Sequence, residues 1–202
     1  MVRRPLVMVF FNLFTTWVKA NYGTIGIYNQ GVNARTSTHL RDAISKELSG
    51  TTITVCVLEV GITNFYYKGT QGPAYCGGDP YTVGVSKAFN YGDDLQDIVS
   101  VIKSHMAPNG VLMILNLYDL SDFFQVIYPE WKDYPEILDA YNKVIALVAK
   151  ANGAKLIDVH TLFEKNPSFK STEVREAHPN DAGHAAIANL LECTLEDSVE
   201  MK

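Results

Sequence analysis

The sequence predicts an α/β domain with three layers (an α/β/α sandwich), in which helices cover both faces of a parallel sheet. Apolar, β-branched runs alternate with helical patterns along the chain, and this alternation is typical of parallel strands joined by helical crossovers. Residues 52–60 are apolar almost throughout, as expected of a strand that is buried on both faces. The 202 residues suffice for one domain with a full core, so we predict a single domain over residues 1–202.

The amino-acid composition limits the classes of partner and cofactor that we expect. Hydrophobic residues make up 47% and charged residues 19% of the chain, values typical of a globular protein. The formal net charge is −5 and no dense cluster of Lys and Arg is present, which argues against nucleic acid as a partner. The cysteines Cys56, Cys76 and Cys193 lack the spacing of metal ligands and allow at most one internal disulfide. We expect a monomer that uses no metal and no cofactor.

Two interpretations of residues 1–20 stay open. Residues 5–11 fit a buried first strand, whereas residues 6–18, which follow two arginines, also fit the apolar part of a short secretory signal. The strand is favoured because removal of residues 6–18 would cost the sheet a central strand. The stretch is too short to span a bilayer, so we expect no stable membrane insertion.

The remaining elements are predicted from the spacing of apolar residues and from the residues that begin or end helices and strands. We predict a helix over residues 36–48 with Thr36 or Ser37 at its cap, and further helices over 93–106 and 135–151. Strands are predicted over residues 24–28, 52–60, 111–115 and 154–159. Residues 65–90 have no steady period, and residues 118–133 form a second predicted loop; long loops of this kind are often functional.

The motif around which these elements are arranged lies near the C-terminus. Residues 175–184 read Arg-Glu-Ala-His-Pro-Asn-Asp-Ala-Gly-His and precede an apolar stripe at helical spacing. A helix should therefore begin just after Pro179, with Asn180 or Asp181 as its cap. This places His178 on the loop that enters the helix, where a base can face a cleft.

This string resembles the last sequence block of the SGNH (GDSL-type) ester hydrolases, in which the first His is the catalytic base. The resemblance covers nearly the whole chain in element order. It implies a flavodoxin-like parallel sheet of about five strands, and serine-hydrolase chemistry on acyl esters of lipids or carbohydrates. The expected partner is thus a small-molecule ester or a glycan, and the family favours a secreted protein over a cytoplasmic one.

Three of the four blocks of the family pattern depart at chemically important positions, and two of these departures concern the nucleophile and the acid that orients the base. The nucleophile block aligns with residues 10–13, which puts Asn12 where the family has serine; the nearest hydroxyls are those of Thr15 and Thr16. The helix that usually follows this block has little room before residue 29. In the Asp-x-x-His block Arg175 replaces the acid, so Glu176 or Glu173 is expected to orient His178 instead.

The other two blocks supply the oxyanion donors in the family. Residues 29–37 place Ala34 at the position whose backbone N–H donates, and a backbone N–H survives the change from Gly to Ala. Residues 61–64 place Thr63 at the position of the oxyanion asparagine, with Asn64 one step further on. Gly31, Gly61 and Phe65 are expected to line the substrate cleft.

Three hypotheses follow from this pattern. The chain is an ester hydrolase whose activity is impaired at the nucleophile, with His178 as its base. Alternatively, it is a catalytically inactive domain that binds an ester, a glycan or a protein partner through the same cleft. A third possibility is that the natural start lies further upstream and that a longer transcript encodes a Gly-Asp-Ser segment.

Overall fold

A computed structural model of the chain describes residues 9–23, 25–32, 35–66, 80–121, 134–171 and 178–200. Its helices are α1 Val9–Tyr22, α2 Ser37–Glu47, α3 Ile62–Tyr66, α4 Pro80–Ser104, α5 Tyr134–Asn152, α6 Val159–Lys165 and α7 Asp181–Glu200. The strands in these residues are β1 Ile53–Leu58, β2 Met106–Leu115 and β3 Lys155–Ile157. A single turn of 3₁₀ helix covers Pro167–Phe169. No helix in the described ranges is long and apolar enough to cross a membrane.

The strands form a parallel sheet in the order β1-β2-β3. Leu58 pairs with Ile114 and Leu115 pairs with Ile157, so the three carboxyl ends meet at one rim. The register shifts early in β1, and Asn109 adopts a φ of 66° on the partner strand. Residues 108–110 read Pro-Asn-Gly, a sequence typical of a turn, and they lie inside β2 as an irregularity.

Helices cover the sheet in two groups. Helix α4 packs against both α2 and α5, whereas α1 packs against α7. Both α5 and α7 also contact β2 and β3. This arrangement has three layers with a shared apolar core, and it confirms the predicted fold class.

Several elements match their predictions closely. Helix α2 begins after Thr36, whose side chain accepts a hydrogen bond from the backbone N–H of His39. Helix α7 begins after Asn180, whose Oδ1 accepts from the N–H of Gly183 at 3.0 Å, as a capping asparagine should. The strand predicted over 52–60 and the helix predicted over 135–151 are confirmed as β1 and α5.

The predicted first strand is wrong for residues 9–11, which belong to α1; residues 5–8 lie outside the described ranges. Phe10, Phe14 and Val18 are buried at intervals of four residues, and this is the spacing of one helix face. The helix that was expected to be missing is therefore present. It places its apolar face on α7.

The second predicted strand is also wrong. Residues 25–28 have no regular structure, and Tyr28 is 71% exposed. β-branched and aromatic residues favour strands only where a neighbouring strand and a core receive them. The described ranges thus contain three strands rather than about five.

The long loop predicted over residues 65–90 is partly helical. Helix α3 ends at Tyr66 and α4 already begins at Pro80, while residues 67–79 lie outside the described ranges. Of the second predicted loop only residues 118–121 are described. Helix α6 was not predicted; it follows β3 at once, and Asp158 caps it through the N–H of Thr161.

Candidate active site

The carboxyl end of β1 is shaped by Gly61. Its φ of +133° suits glycine, and a Cβ there would lie 3.2 Å from Leu117 Cδ1 and 3.2 Å from the Tyr91 ring. The buried Tyr91 hydroxyl donates to the carbonyl of Val60 at 2.8 Å, and its burial raises the pKa of this phenol far above its usual value. Gly61 therefore allows the chain to turn tightly between β1 and α3, over the end of β2.

A buried polar network joins the two predicted oxyanion blocks. Asn64 accepts from the N–H of Ser37 at 3.0 Å, and its Nδ2 donates to the Ser37 hydroxyl at 2.8 Å. That hydroxyl donates in turn to Asp94 at 2.7 Å, and Asp94 also pairs with Arg41. The network holds α2, α3 and α4 together below the rim. One of the two amide hydrogens of Asn64 is therefore used in a structural hydrogen bond.

The segment from His178 to Asn180 is attached to residues 168–171. The carbonyl of His178 accepts from the N–H of Ser171 at 3.3 Å, and Pro179 forms a β-bridge with Lys170. The Nδ2 of Asn180 donates to the carbonyls of Ser168 and Lys170 at 2.6 and 3.1 Å. The loop is thus fixed to the preceding segment, and the exposed side chain of His178 stands at the entrance of α7.

Two charged or titratable neighbours interact with His178. Glu59 follows β1 directly, and burial raises the pKa of its carboxyl whereas the charge of His178 lowers it. His184, on the first turn of α7, is half-buried, and its ring lies 6.1 Å from that of Phe10 in a stacked arrangement. Burial lowers the pKa of His184, and His178 lowers it further while Asp181 raises it. His178 thus influences the pKa of one group that follows β1 and of one group on the first turn of α7.

The ends of β2 and β3 are also joined at this rim. Asn116 donates to Asp158 at 2.8 Å and accepts from the N–H of His160 at 2.9 Å. Asn142 of α5 accepts from the N–H of Leu117 and donates to its carbonyl, at 2.8 and 2.9 Å. These bonds pair polar backbone groups that would otherwise be left unsatisfied where the strands end.

The predicted nucleophile position lies within helix α1. Asn12 is exposed on α1, and its carbonyl accepts from the hydroxyls of Thr15 and Thr16 at 3.2 and 2.8 Å. Both hydroxyls are therefore engaged with the backbone of their own helix. The structure brings Phe10, and not Asn12, to the first turn of α7.

The remaining predicted residues divide between described and undescribed parts. Thr63 is half-buried on α3, and Phe65 belongs to the same helix. Gly31 is exposed in a turn in which its N–H donates to Asn29 Oδ1 at 2.9 Å. Ala34, Glu176 and Glu173 lie outside the described ranges, so their roles stay predictions.

Sequence reasoning did not single out Glu59, a partly buried acidic residue that lies within the strand predicted over residues 52–60. An acidic residue directly before Val60 and Gly61 is unusual in an apolar strand, and this anomaly is the signal that could have marked it. In the described ranges, no group of three or more His, Cys, Asp or Glu side chains is arranged to hold a metal ion.

A three-layer α/β/α domain with polar side chains at the carboxyl rim of a parallel sheet has the architecture of many α/β enzymes. The model of the GDSL-like lipase/acylhydrolase family matches residues 10–186. The chain therefore belongs to the GDSL-like lipase/acylhydrolase family, and the resemblance inferred from its motifs is confirmed.

Solved structures with this fold include several ester hydrolases. A GDSL-like lipase from Parabacteroides merdae is 15% identical with a TM-score of 0.69, over 96% of this chain and 82% of that one. The acetyl xylan esterase AlAXEase is 16% identical with a TM-score of 0.66, over 92% and 89%. The esterase EstA from Pseudoalteromonas is 11% identical with a TM-score of 0.64, over 95% and 87%. At these identities the likeness establishes the fold. No curated protein sequence matches the chain.

Proposed function

We propose that this chain is a carboxylic-ester hydrolase domain that acts on acyl esters of carbohydrate or lipid, with His178 as its general base and with impaired turnover. The observation that carries the proposal is the fixed position of the His178 loop at the entrance of α7. Membership of an acylhydrolase family supports the reaction class. The acetyl xylan esterases among the structures with this fold support acylated carbohydrate as a substrate class.

Each role in this reaction has a candidate residue in the chain. His178 would accept the proton of an attacking hydroxyl or water as its oxygen bonds to the acyl carbon, and return it to the leaving alcohol. The half-buried hydroxyl of Thr63 and the backbone N–H of Ala34 would donate to the oxyanion. Turnover is impaired in this proposal because Asn12, at the predicted nucleophile position, carries an amide that cannot attack an ester.

A second candidate function is binding without turnover at the same rim. It is favoured by the exposed position of Asn12 on α1 and by the engagement of the Asn64 amide with Ser37. Arg175 stands at the position of the orienting acid. This substitution also favours binding without turnover, because a cation cannot orient an imidazolium. The ligand would be the same acylated carbohydrate or lipid.

Hydrolysis of p-nitrophenyl acetate and butyrate tests the first candidate. We expect slow turnover above the buffer blank by the parent chain and none by the His178→Ala variant. His105→Gln is the matched control, because His105 lies at the amino end of β2, opposite the rim, and its variant should keep the parent rate. Circular dichroism confirms that each variant is folded.

The outcomes separate the two candidates. If the parent chain and His178→Ala both match the blank, hydrolysis by this chain is refuted. Calorimetric titration with acetylated xylo-oligosaccharides then tests binding: saturable heat that His178→Ala weakens supports the second candidate, and no heat refutes it.

A further inference from the structure

Helix α3 is the shortest α-helix in the described ranges, and it needs support from other elements. It spans the five residues Ile62–Tyr66, and a helix of this length is unstable by itself, because its first turn costs more conformational freedom than its few hydrogen bonds recover. The buried side chain of Asn64 joins it to α2 through two hydrogen bonds with Ser37. The position of α3 therefore depends on this contact.

The direction of these hydrogen bonds is fixed from both ends. The backbone N–H of Ser37 can only donate, so Asn64 presents Oδ1 to it, at 3.0 Å. The Nδ2 of Asn64 then faces the Ser37 hydroxyl and donates to it at 2.8 Å. A carboxylate can only accept, so this hydroxyl gives its own hydrogen to Asp94 at 2.7 Å. The opposite orientation of the Asn64 amide would set two donors against each other.

Asp94 is held in place by other donors as well. The hydroxyl of Thr38 donates to the same carboxylate oxygen at 2.8 Å, and the guanidinium of Arg41 pairs with the other oxygen. Ser37 has no exposed surface and Asp94 is only 5% exposed, so water cannot easily replace a lost bond here. Helices α2 and α4 thus fix the Ser37 hydroxyl, and this hydroxyl fixes Asn64.

We infer that Ser37 is a positioning residue that sets the place of Thr63 through Asn64, with Asp94 as its fixed acceptor. Thr63 directly precedes Asn64 in α3, so a displacement of the Asn64 side chain moves the half-buried Thr63 with it. A hydroxyl stabilises an oxyanion only from a distance of about 2.7–3.1 Å, so small displacements matter. The catalytic consequence rests on the proposed function, whereas the positioning itself does not.

The γ-methyl signal of Thr63 in a ¹H–¹³C NMR spectrum tests the positioning. Thr63→Ser lacks this methyl group, so its spectrum identifies the signal. We expect Ser37→Ala to shift the signal, because Asn64 Nδ2 loses its acceptor. Thr38→Val is the matched control: it also removes one hydroxyl that donates to Asp94, but that hydroxyl is not bonded to Asn64. It should leave the Thr63 signal in place.

A double variant tests whether the effect passes through Asn64. Asn64→Ala breaks the same path from the other end, so in this background Ser37→Ala should no longer move the Thr63 signal. Circular dichroism confirms that each variant is folded. If Ser37→Ala does not fold, Ser37→Cys replaces it; a thiol is a weaker donor and acceptor than a hydroxyl and should also shift the signal.

Two NMR results would overturn the inference. An unmoved Thr63 signal in the folded Ser37 variant would show that α3 does not depend on this contact. An equal shift in Thr38→Val would show that the spectrum reports a general loosening around Asp94 and not a path through Asn64.

Activity supplies a separate readout. If the parent chain hydrolyses p-nitrophenyl acetate, Ser37→Ala should lower kcat by about tenfold or more with little change in KM, and Thr38→Val should keep the parent kcat. A parent chain without turnover refutes the proposed hydrolysis but not the positioning, because the NMR comparison does not need an active protein. A shifted Thr63 signal with an unchanged kcat would overturn the catalytic part alone.

Discussion

Gly183 lies where the first turn of α7 passes close to the segment that holds the His178 loop. A Cβ at this position would collide with the carbonyl oxygen of Phe169 and would lie 2.9 Å from Pro179 Cβ. We expect Gly183→Ala to lower the free energy of unfolding by about 1–3 kcal/mol, because the backbone has to shift to admit the methyl group. Urea denaturation followed by circular dichroism measures the change.

Gly26→Ala is the matched control for this prediction. An added Cβ at Gly26 meets nothing closer than the Tyr28 ring at 3.4 Å, so this variant should differ from the parent by less than about 0.5 kcal/mol. Equal stability of the parent and Gly183→Ala would mean that the α7 turn and the Phe169 backbone are further apart than described.

At the scale of single residues, the sequence predicted the position of His178 at the entrance of a helix. The helix start after Pro179 and the Asn180 cap are local patterns, and both are confirmed. The sequence places the candidate orienting acids, Glu173 and Glu176, within a few residues of His178, and both lie outside the described ranges. The contact between Asn64 and Ser37, in contrast, joins residues far apart in sequence and arises only from packing.

At the scale of elements, Asp158 joins the ends of β2 and β3 and caps α6. Burial alone would raise the pKa of its carboxyl, but hydrogen bonds from Asn116 and Thr161 outweigh burial and hold the pKa below its usual value. Because the folded-state pKa is the lower one, the ionised group stabilises the fold fully above the unfolded-state pKa of about 3.9. This stabilisation is lost as the pH falls through the folded-state pKa.

We therefore expect Asp158→Asn to unfold more easily than the parent chain at about pH 7, and the difference to shrink below about pH 4. Urea denaturation at a series of pH values measures both effects. Asp139→Asn, at an exposed position of α5, is the control and should follow the parent at every pH. A difference between Asp158→Asn and the parent that stays constant down to about pH 3 would contradict the prediction.

Helix α1 shows why elements can be misassigned from sequence. Residues 9–11 are apolar and aromatic, and such a short run suits either a buried strand or a buried helix segment. The choice depends on what the chain packs against. In the structure α7 provides a helix surface that receives Phe10, Phe14 and Val18.

At the scale of the whole molecule, a single domain predicts a single cooperative unfolding transition. Leu95 on α4 and Leu191 on α7 are fully buried in the opposite helix layers. We expect Leu95→Ala and Leu191→Ala each to lower the free energy of unfolding by about 2–5 kcal/mol, because each leaves a cavity in the shared core. Far-ultraviolet circular dichroism and tryptophan fluorescence, recorded in urea, should give coincident curves.

Leu147→Ala is the control, since Leu147 is 66% exposed on α5 and should change stability by less than about 0.5 kcal/mol. Two separate transitions, each sensitive to one of the two buried leucines, would show that the helix layers unfold independently. That result would contradict the single domain.

The sequence by itself determined the α/β class, the confirmed elements α2, β1, α5 and α7, and the place of His178. These features follow from short-range periodicity, capping and turn residues, which act over a few neighbouring positions. The tertiary structure decided that residues 9–22 form a helix, that Ser37 holds Asn64, and that Asn116 joins Asp158. These contacts join residues far apart in the chain, so they arise only when helices and sheet pack around a common core.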